Sequence, residues 1–163
     1  MGANQFLTGN NTMTDQENAC AAVVHRWFEE VWNKGRIEAI EEMLDPGCVV
    51  NGINDAGGNP VQGPAGFKPF FQNFRNSFPD IKITIEDTLV MGDKVAVRCR
   101  VKGTHVGDGL GFPATQKPIE VTGIAIARVE NQKIVGAWNN FDFLGLYQQM
   151  GVLSLSAPPE LLD

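Results

Sequence analysis

The sequence predicts an α+β domain in which a cone-shaped, curved antiparallel sheet wraps around three N-terminal helices. Between residues 14 and 78 the apolar side chains recur mainly at helical spacing, whereas between residues 81 and 143 they recur at every second position. Runs of helix followed by runs of strand are typical of segregated α+β folds, not of alternating βαβ units. A strongly curved sheet with helices on one side also leaves a mouth that can hold a small ligand.

The length and composition indicate one domain. The chain has 163 residues and shows no internal repeat or domain boundary. We expect residues 1–13 to form a flexible N-terminal arm, residues 14–153 to form the domain, and residues 154–163 to form a C-terminal tail. The three cysteines match no metal or disulfide pattern, so we expect each to be a small buried residue.

The charge and hydropathy of the chain argue against two kinds of partner. A net charge of −6 disfavours nucleic acid and anionic membranes, because both require concentrated lysine and arginine. No segment approaches the ~20 apolar residues of a membrane span, and the first residues lack a signal-peptide pattern. We therefore expect a soluble, cytoplasmic protein.

Three helices are predicted before the main strands. Thr14-Asp-Gln-Glu17 has the spacing of a capping box, and the helix that begins there should run for about five turns to Asn33-Lys34-Gly35. A shorter helix is predicted over residues 37–44, ended by Asp45-Pro46-Gly47. The third, over residues 64–78, carries phenylalanines along one face. Such an aromatic stripe is usually core, and it can also form one wall of a ligand cavity.

The strands are predicted from their alternation and their turns. Residues 48–52 indicate a short strand, and residues 53–63 a loop rich in Gly, Asn and Pro. Residues 81–101 predict a hairpin that turns at Gly92-Asp93. A glycine-rich crossover then leads to a second hairpin, which turns at Glu130-Asn-Gln-Lys133 and runs into a last helix.

The register of the second hairpin predicts which side chains share a face. If Glu130 and Lys133 flank a two-residue turn, Trp138, Asn140 and Asp142 lie on one face with Gly123 and Ala125. Small residues beside large polar ones leave the volume that a cavity requires. Two alternatives stay open: the small residues merely make room for the Trp138 ring, or a one-residue bulge reverses the faces.

Asp142 is the most informative single residue, because it is a lone acid between Phe141 and Phe143 in an apolar strand. Burial there would raise the pKa of its carboxyl and allow it to exchange protons near neutral pH. The alternative is that Asp142 only caps the helix that follows it.

A few other residues are candidates for the same site. His105 continues the apolar face of residues 95–101 and is a second candidate catalytic residue, although a buried histidine is more often structural. Asn51 is a candidate donor to a carbonyl or enolate oxygen. The candidate substrate-binding walls are Trp138, Asn140, Trp32 and Phe71. The chain carries no HExxH or other metal-binding pattern, no GxSxG elbow and no phosphate-binding loop.

Several motifs resemble the SnoaL-like polyketide cyclases, or ester cyclases, of the nuclear transport factor 2-like superfamily. They are Trp32-Asn-Lys-Gly35, Gly103-Thr-His-Val-Gly107, Gly111-Phe-Pro-Ala-Thr115 and Trp138-x-x-x-Asp142-x-x-Gly145. The similarity spans about residues 15–152, nearly the whole chain. It implies a cone-shaped α+β barrel, commonly a homodimer formed through the outer face of the sheet, and chemistry without a metal or organic cofactor.

The resemblance also implies roles for particular residues. In the characterised cyclases one Asp is the acid/base of an intramolecular aldol ring closure, and Asp142 falls on its position. Asn51 falls where a polar side chain helps to bind the substrate. These cyclases can place an imidazole beside the Asp, whereas residues 119–128 contain no histidine and only His105 is available from a neighbouring strand.

The leading hypothesis is therefore a cofactor-independent polyketide or ester cyclase, or a related isomerase or dehydratase. Asp142 would remove a proton next to the carbonyl of a small apolar or aromatic ligand, and a planar, aromatic or polycyclic β-dicarbonyl compound is the first substrate class to test. Two alternatives stay open: a non-catalytic module that binds an apolar metabolite or dimerises, and an epoxide or lactone hydrolase. We also expect a homodimer, because Ile124 and Ile126 lie on the sheet face opposite the cavity.

Overall fold

Between residues 12 and 154 the fold combines four α-helices with one curved, unclosed sheet of six strands, which confirms the predicted α+β class. A computed structural model describes residues 12–154. The predicted arm, except its last two residues, and the predicted tail, except Ser154, lie outside the described residues. The helices are α1 (Asp15–Trp27), α2 (Glu38–Met43), α3 (Gly63–Ser77) and α4 (Phe143–Met150). The strands are β1 (Leu44–Asn54), β2 (Pro60–Gln62), β3 (Lys82–Met91), β4 (Lys94–Thr104), β5 (Pro118–Glu130) and β6 (Lys133–Phe141), in the sheet order β2-β1-β6-β5-β4-β3.

Helix α1 begins at the predicted capping box but does not continue as an α-helix to its predicted end. Thr14 Oγ1 accepts a hydrogen bond from Glu17 N at 3.2 Å, and Glu17 Oε2 accepts one from Thr14 N at 2.9 Å. The last stretch, Phe28–Asn33, is a π-helical turn. This turn places Trp32 in the core, while the Asn33 amide pairs with both backbone groups of Ile83 on the edge strand β3. Asn33 therefore covers part of a strand edge that would otherwise be unpaired.

The first two strands differ from their prediction. Strand β1 is longer than expected and includes Asp45-Pro46-Gly47, which lie where its ladder with β6 is interrupted. Helix α2 ends at Met43, just before this motif, as predicted; the motif then lies inside β1, because proline and glycine are tolerated at such irregularities. The predicted loop contains the short strand β2, which pairs antiparallel with β1, whereas β1 pairs parallel with β6. The sheet is thus antiparallel except at this one pair.

A single bulge in the β5–β6 hairpin decides which side chains face the helices. The predicted two-residue turn is confirmed, with Glu130 opposite Lys133. Beyond it the ladder shifts by one residue, because Val135 of β6 is left without a partner between two paired positions. Trp138 consequently pairs with Ile126 and Asn140 with Ile124, on the outer face. The prediction that Trp138 and Asn140 face the cavity is wrong, since an extra residue reverses the faces of all residues after it.

The core lies between the inner face of the sheet and helices α1 and α3. The Trp32 ring lies at the centre of the aromatic stripe of α3, with ring centroids 5.5 Å from Phe71 and 6.0 Å from Phe67. All three cysteines are buried and unpaired as predicted, and burial raises the pKa of Cys48 and Cys99 to about 11. None of the helices between residues 12 and 154 is long and apolar enough to cross a membrane.

Candidate active site

The concave side of the sheet and the helices enclose a cavity of about 100 Å³. Its walls come from α1, the π-helical turn, α3, the inner face of the sheet and the start of α4. The side chains that line it are aliphatic or aromatic, with two exceptions within residues 12–154, Asn139 and Asp142. The cavity therefore excludes water from most of a bound molecule and offers hydrogen bonds at only a few points.

Small residues on the sheet create the space. Ala125 and Ala127 of β5 and Ala137 of β6 lie on the inner face of the sheet and line the cavity, as Trp32 does from the helical side. The mouth is taken as the side where aromatic residues of the lining are half-buried, among them Phe74 and Phe143, whose ring centroids are 6.0 Å apart. Ala125 and Trp32 both belong to the lining of the cavity, where the sequence placed them.

Asp142 follows the last residue of β6 and lines the cavity, but it is exposed to solvent. Its backbone N–H donates to Thr122 O at 3.1 Å, which fixes the main chain to β5. Its Oδ1 accepts a hydrogen bond from Gly145 N at 2.8 Å, so the carboxylate also caps α4. The predicted desolvation is wrong because the chain leaves the sheet at this residue, and the two flanking phenylalanines do not enclose it. The capping alternative is confirmed as a contact, while Oδ2 has no hydrogen-bond partner among the described residues.

Asn139 is the polar residue that the sequence reasoning missed. It lies on the inner face of β6, three residues before Asp142, and its Nδ2 donates to Asn51 O at 3.1 Å. The predicted donor Asn51 instead gives its own Nδ2 to Ala137 O at 3.1 Å and does not line the cavity. The sequence offered one signal for Asn139, its position in the alternating strand. That position indicates the inner face only when the bulge at Val135 is known.

His105 is fully buried, but the structure does not bring it to Asp142. Its Nδ1 lies 3.0 Å from Thr115 Oγ1 and accepts a hydrogen bond from Thr115 N at 3.2 Å. The backbone of His105 pairs with Lys117, just before β5, whereas the backbone of Asp142 pairs with Thr122 of β5, five residues further along the chain. At roughly 3.3 Å per residue the two positions are about 16 Å apart along the strand. His105 does not line the cavity and packs against Phe78 instead.

The remaining predicted walls lie elsewhere. Phe71 is buried behind Trp32 and is not part of the lining. Trp138 is 44% exposed on the outer face, and Asn140 is exposed beside it. Of the seven predicted site residues, Asp142 and Trp32 are the two that line the cavity.

A cone of this kind, with a curved sheet, covering helices and an apolar cavity, defines the nuclear transport factor 2-like class of α+β proteins. Within that class, a family model for SnoaL-like polyketide cyclases matches residues 22–150. The chain belongs to the SnoaL-like polyketide cyclase family. No protein of curated function matches it.

Solved structures with the same fold support this assignment. A candidate polyketide cyclase from Bacillus cereus is 32% identical, with a TM-score of 0.69 and coverage of 83% of each chain. IdmH, a candidate polyketide cyclase from Streptomyces antibioticus, is 30% identical, with a TM-score of 0.71 over 81% of this chain and 98% of that one. A candidate SnoaL-like cyclase from Jannaschia sp. CCS1 has a TM-score of 0.75 over 91% of this chain and 99% of that one, and its 22% identity shows the fold alone.

Proposed function

We propose that this protein is a cyclase or isomerase in which Asp142 transfers protons at the carbon next to a carbonyl group. One observation carries the proposal. Asp142 is one of two polar side chains in the lining of an otherwise apolar cavity within residues 12–154, and its carboxylate is held there by the Gly145 N–H. A positioned carboxylate beside an apolar cavity is suited to acid–base catalysis on a largely apolar carbonyl compound.

The steps follow from the two oxygens of the carboxylate. Oδ1 stays bound to Gly145 N, and Oδ2 takes the proton from the carbon next to the carbonyl. The resulting carbanion, delocalised into the carbonyl, attacks a second carbonyl of the same molecule and forms the new carbon–carbon bond. The new alkoxide then recovers the proton from Asp142, and in an isomerisation the proton returns to a different carbon. Conjugation spreads the negative charge, so the proposal requires no metal or organic cofactor, and the base contributes about 10²–10⁴-fold in rate.

A non-catalytic binding module is the second candidate, and a specific observation favours it. Asp142 is exposed and caps α4, which is a sufficient structural reason for an acid at this position. A module of this kind would bind an apolar carbonyl ligand in the same cavity without turnover. Hydrolysis of an epoxide or lactone has less support, because a bound water needs two to four polar partners and the described lining offers Asn139 and Asp142.

The direct test is hydrogen–deuterium exchange next to a carbonyl. Single-ring and fused-ring aromatic ketones and β-dicarbonyl compounds are incubated with the protein in deuterated buffer, and deuterium incorporation is followed by NMR. We expect the protein to accelerate exchange for at least one compound. Binding without any acceleration across the panel would favour the binding module.

Gly145→Ala is expected to lower activity without lowering stability. A Cβ at Gly145 would overlap Asp142 Oδ2, so the carboxylate must turn away from its place at the cavity. Alanine is a better helix former than glycine by up to about 1 kcal/mol, which offsets the weakened cap. We therefore expect Gly145→Ala to lower the rate of deuterium exchange and to leave the thermal midpoint of unfolding nearly unchanged.

Gly66→Ala is the matched control, since Gly66 lies near the start of α3 and a Cβ there meets Val61 at an ordinary 3.5 Å. It should leave exchange unchanged. Equal exchange rates for Gly145→Ala and the wild type would show that the position of the carboxylate does not matter.

We also propose a homodimer formed through the outer face of the sheet, as the family resemblance implies. Three apolar side chains are exposed in one cross-strand row there: Leu89 (74%), Ile126 (38%) and Trp138 (44%). Ile124, in the next row, is 51% exposed. A second copy that covers this row about a two-fold axis would bury the same residues on both chains.

Trp138→Glu is expected to convert this dimer to a monomer, because a charge would be buried in the middle of the apolar row. Sedimentation at micromolar concentration measures the change. Leu144→Glu is the control, since Leu144 is also an exposed apolar residue but lies on α4, away from the sheet face. A wild-type monomer at that concentration would contradict the proposal.

A further inference from the structure

We propose that Asn139 donates its second amide N–H to the carbonyl oxygen of the substrate, and that the part of the substrate which enters the cavity is no larger than one ring. The inference rests on the proposed function, because the oxygen in question is the one that becomes negative when Asp142 removes the neighbouring proton. It assigns to Asn139 the role that the sequence suggested for Asn51.

The orientation of the Asn139 amide is determined by its partner. A backbone carbonyl oxygen can only accept a hydrogen bond, so the group 3.1 Å from Asn51 O must be the NH₂ end of the side chain. That NH₂ group has two N–H bonds, and Asn51 O uses one of them. The side chain belongs to the cavity lining, so the second N–H is available to a ligand in surroundings that otherwise offer few donors. A polar oxygen enclosed there without a partner would be unfavourable by about 1–3 kcal/mol.

The backbone holds Asn139 firmly in place. It pairs with Ala125 on β5, while the β1 backbone at Gly52 passes directly over its carbonyl oxygen. Gly52 has φ +84, and a Cβ on it would overlap Asn139 O. A donor fixed in this way needs little reorganisation when charge develops on the bound oxygen, which is the property that stabilises an oxyanion.

The spacing of Asn139 and Asp142 suits one carbonyl and its neighbouring carbon. The two residues are three positions apart at the end of β6, or about 10 Å along an extended chain. Both side chains reach the same cavity, so the distance between their polar ends can be shorter than this. A carbonyl oxygen bound to Asn139 would therefore have its adjacent carbon within reach of Asp142, the exposed polar residue of the lining.

The volume of the cavity limits the ligand. A cavity of 150 Å³ lined by aliphatic and aromatic side chains accommodates benzene, whereas this one measures about 100 Å³. A single ring can enter when half-buried rings at the mouth, such as Phe74 and Phe143, move aside. Two fused rings would require movement of the buried Trp32 or Phe67 as well. The polycyclic body favoured by the sequence alone would have to remain outside.

The experiment compares three probes by NMR titration: acetophenone, ethylbenzene, which has a similar shape without the carbonyl, and 2-acetonaphthone, which adds a fused ring. Asn139→Leu keeps the size of the side chain and removes its donor, and Asn140→Leu is the matched control on the outer face. We expect Asn139→Leu to weaken acetophenone binding by about two- to tenfold, with ethylbenzene unaffected. Asn140→Leu should change neither, and 2-acetonaphthone should bind more weakly than acetophenone. Asn139→Ala replaces the leucine variant if that variant does not fold.

Three binding results would overturn the inference: acetophenone affinity unchanged by Asn139→Leu, 2-acetonaphthone bound as tightly as acetophenone, or no measurable binding of acetophenone to the wild type. Exchange of the acetophenone methyl protons provides a separate readout. Asn139→Leu, which lacks this donor, should catalyse the exchange about 10²-fold more slowly than the wild type. If the wild type binds the ketone through Asn139 but catalyses no exchange, the proposed function fails and the assignment of Asn139 as the carbonyl-binding residue stands.

Discussion

Asp142→Asn is expected to abolish catalysed proton exchange while the protein stays folded. Asparagine has nearly the same shape and caps helices about as well as aspartate, so the free energy of unfolding should change by less than about 0.5 kcal/mol. In asparagine an NH₂ group takes the place of Oδ2 and cannot accept a proton. The loss of the base should reduce the exchange rate by about 10²–10⁴-fold. The rate is measured by deuterium incorporation, and the stability by urea denaturation.

Asp142→Ala separates the two roles of the residue. It removes the base and also the cap to Gly145 N, so it should lose the same activity and an additional ~1 kcal/mol of stability. Activity that survives Asp142→Asn would show that the acid is structural and would leave the binding module as the better description. Unfolding of the asparagine variant would have the same meaning.

Gly52→Ala is expected to give the largest loss of stability, about 3 kcal/mol. Gly52 has φ +84, which is unfavourable for alanine, and its new Cβ would overlap the carbonyl oxygen of Asn139. Strands β1 and β6 would have to separate at the point where Asn139 Nδ2 donates to Asn51 O and Asn51 Nδ2 donates to Ala137 O. Thermal or urea denaturation measures the effect.

Gly58→Ala is the control that isolates the overlap from the backbone conformation. Gly58 has a similar φ of +80, but a Cβ there would meet nothing within 4 Å. Gly58→Ala should lower the free energy of unfolding by only ~1 kcal/mol, the usual penalty for a residue other than glycine in the left-handed region of backbone conformation. Equal losses of unfolding free energy for Gly52→Ala and Gly58→Ala would mean that the close contact between Gly52 and the Asn139 carbonyl oxygen does not matter.

The sequence was sufficient to predict the class of fold and most of the elements that form it. The capping box at Thr14 located the start of α1, and the two-residue turn after Glu130 located the second hairpin. Both are local signals, in which a few neighbouring residues satisfy their own backbone groups. The motif from Trp138 to Gly145 indicated the family, and the structure explains its last two members: the Gly145 N–H binds the Asp142 carboxylate, which leaves no room for a Cβ.

Which residues line the cavity depended on the pairing of strands that are distant in the sequence. A one-residue bulge at Val135 moved Trp138 and Asn140 to the outer face and placed Asn139 in the cavity, although the alternation in the sequence is compatible with either register. The parallel pairing of β1 with β6 likewise turned the Asn51 amide toward Ala137 O. The exposure of Asp142 to solvent was also beyond prediction, because it depends on where the chain leaves the sheet and not on its phenylalanine neighbours.

The sequence by itself thus determined the α+β class, the family and the presence of one acid at the end of β6. Tertiary structure alone decided which side chains join that acid: Asn139 is beside the cavity, whereas His105 is about 16 Å away along the strand direction. The physical reason is that propensities and caps act within a few residues, while the faces of a strand are set by the packing of the whole sheet.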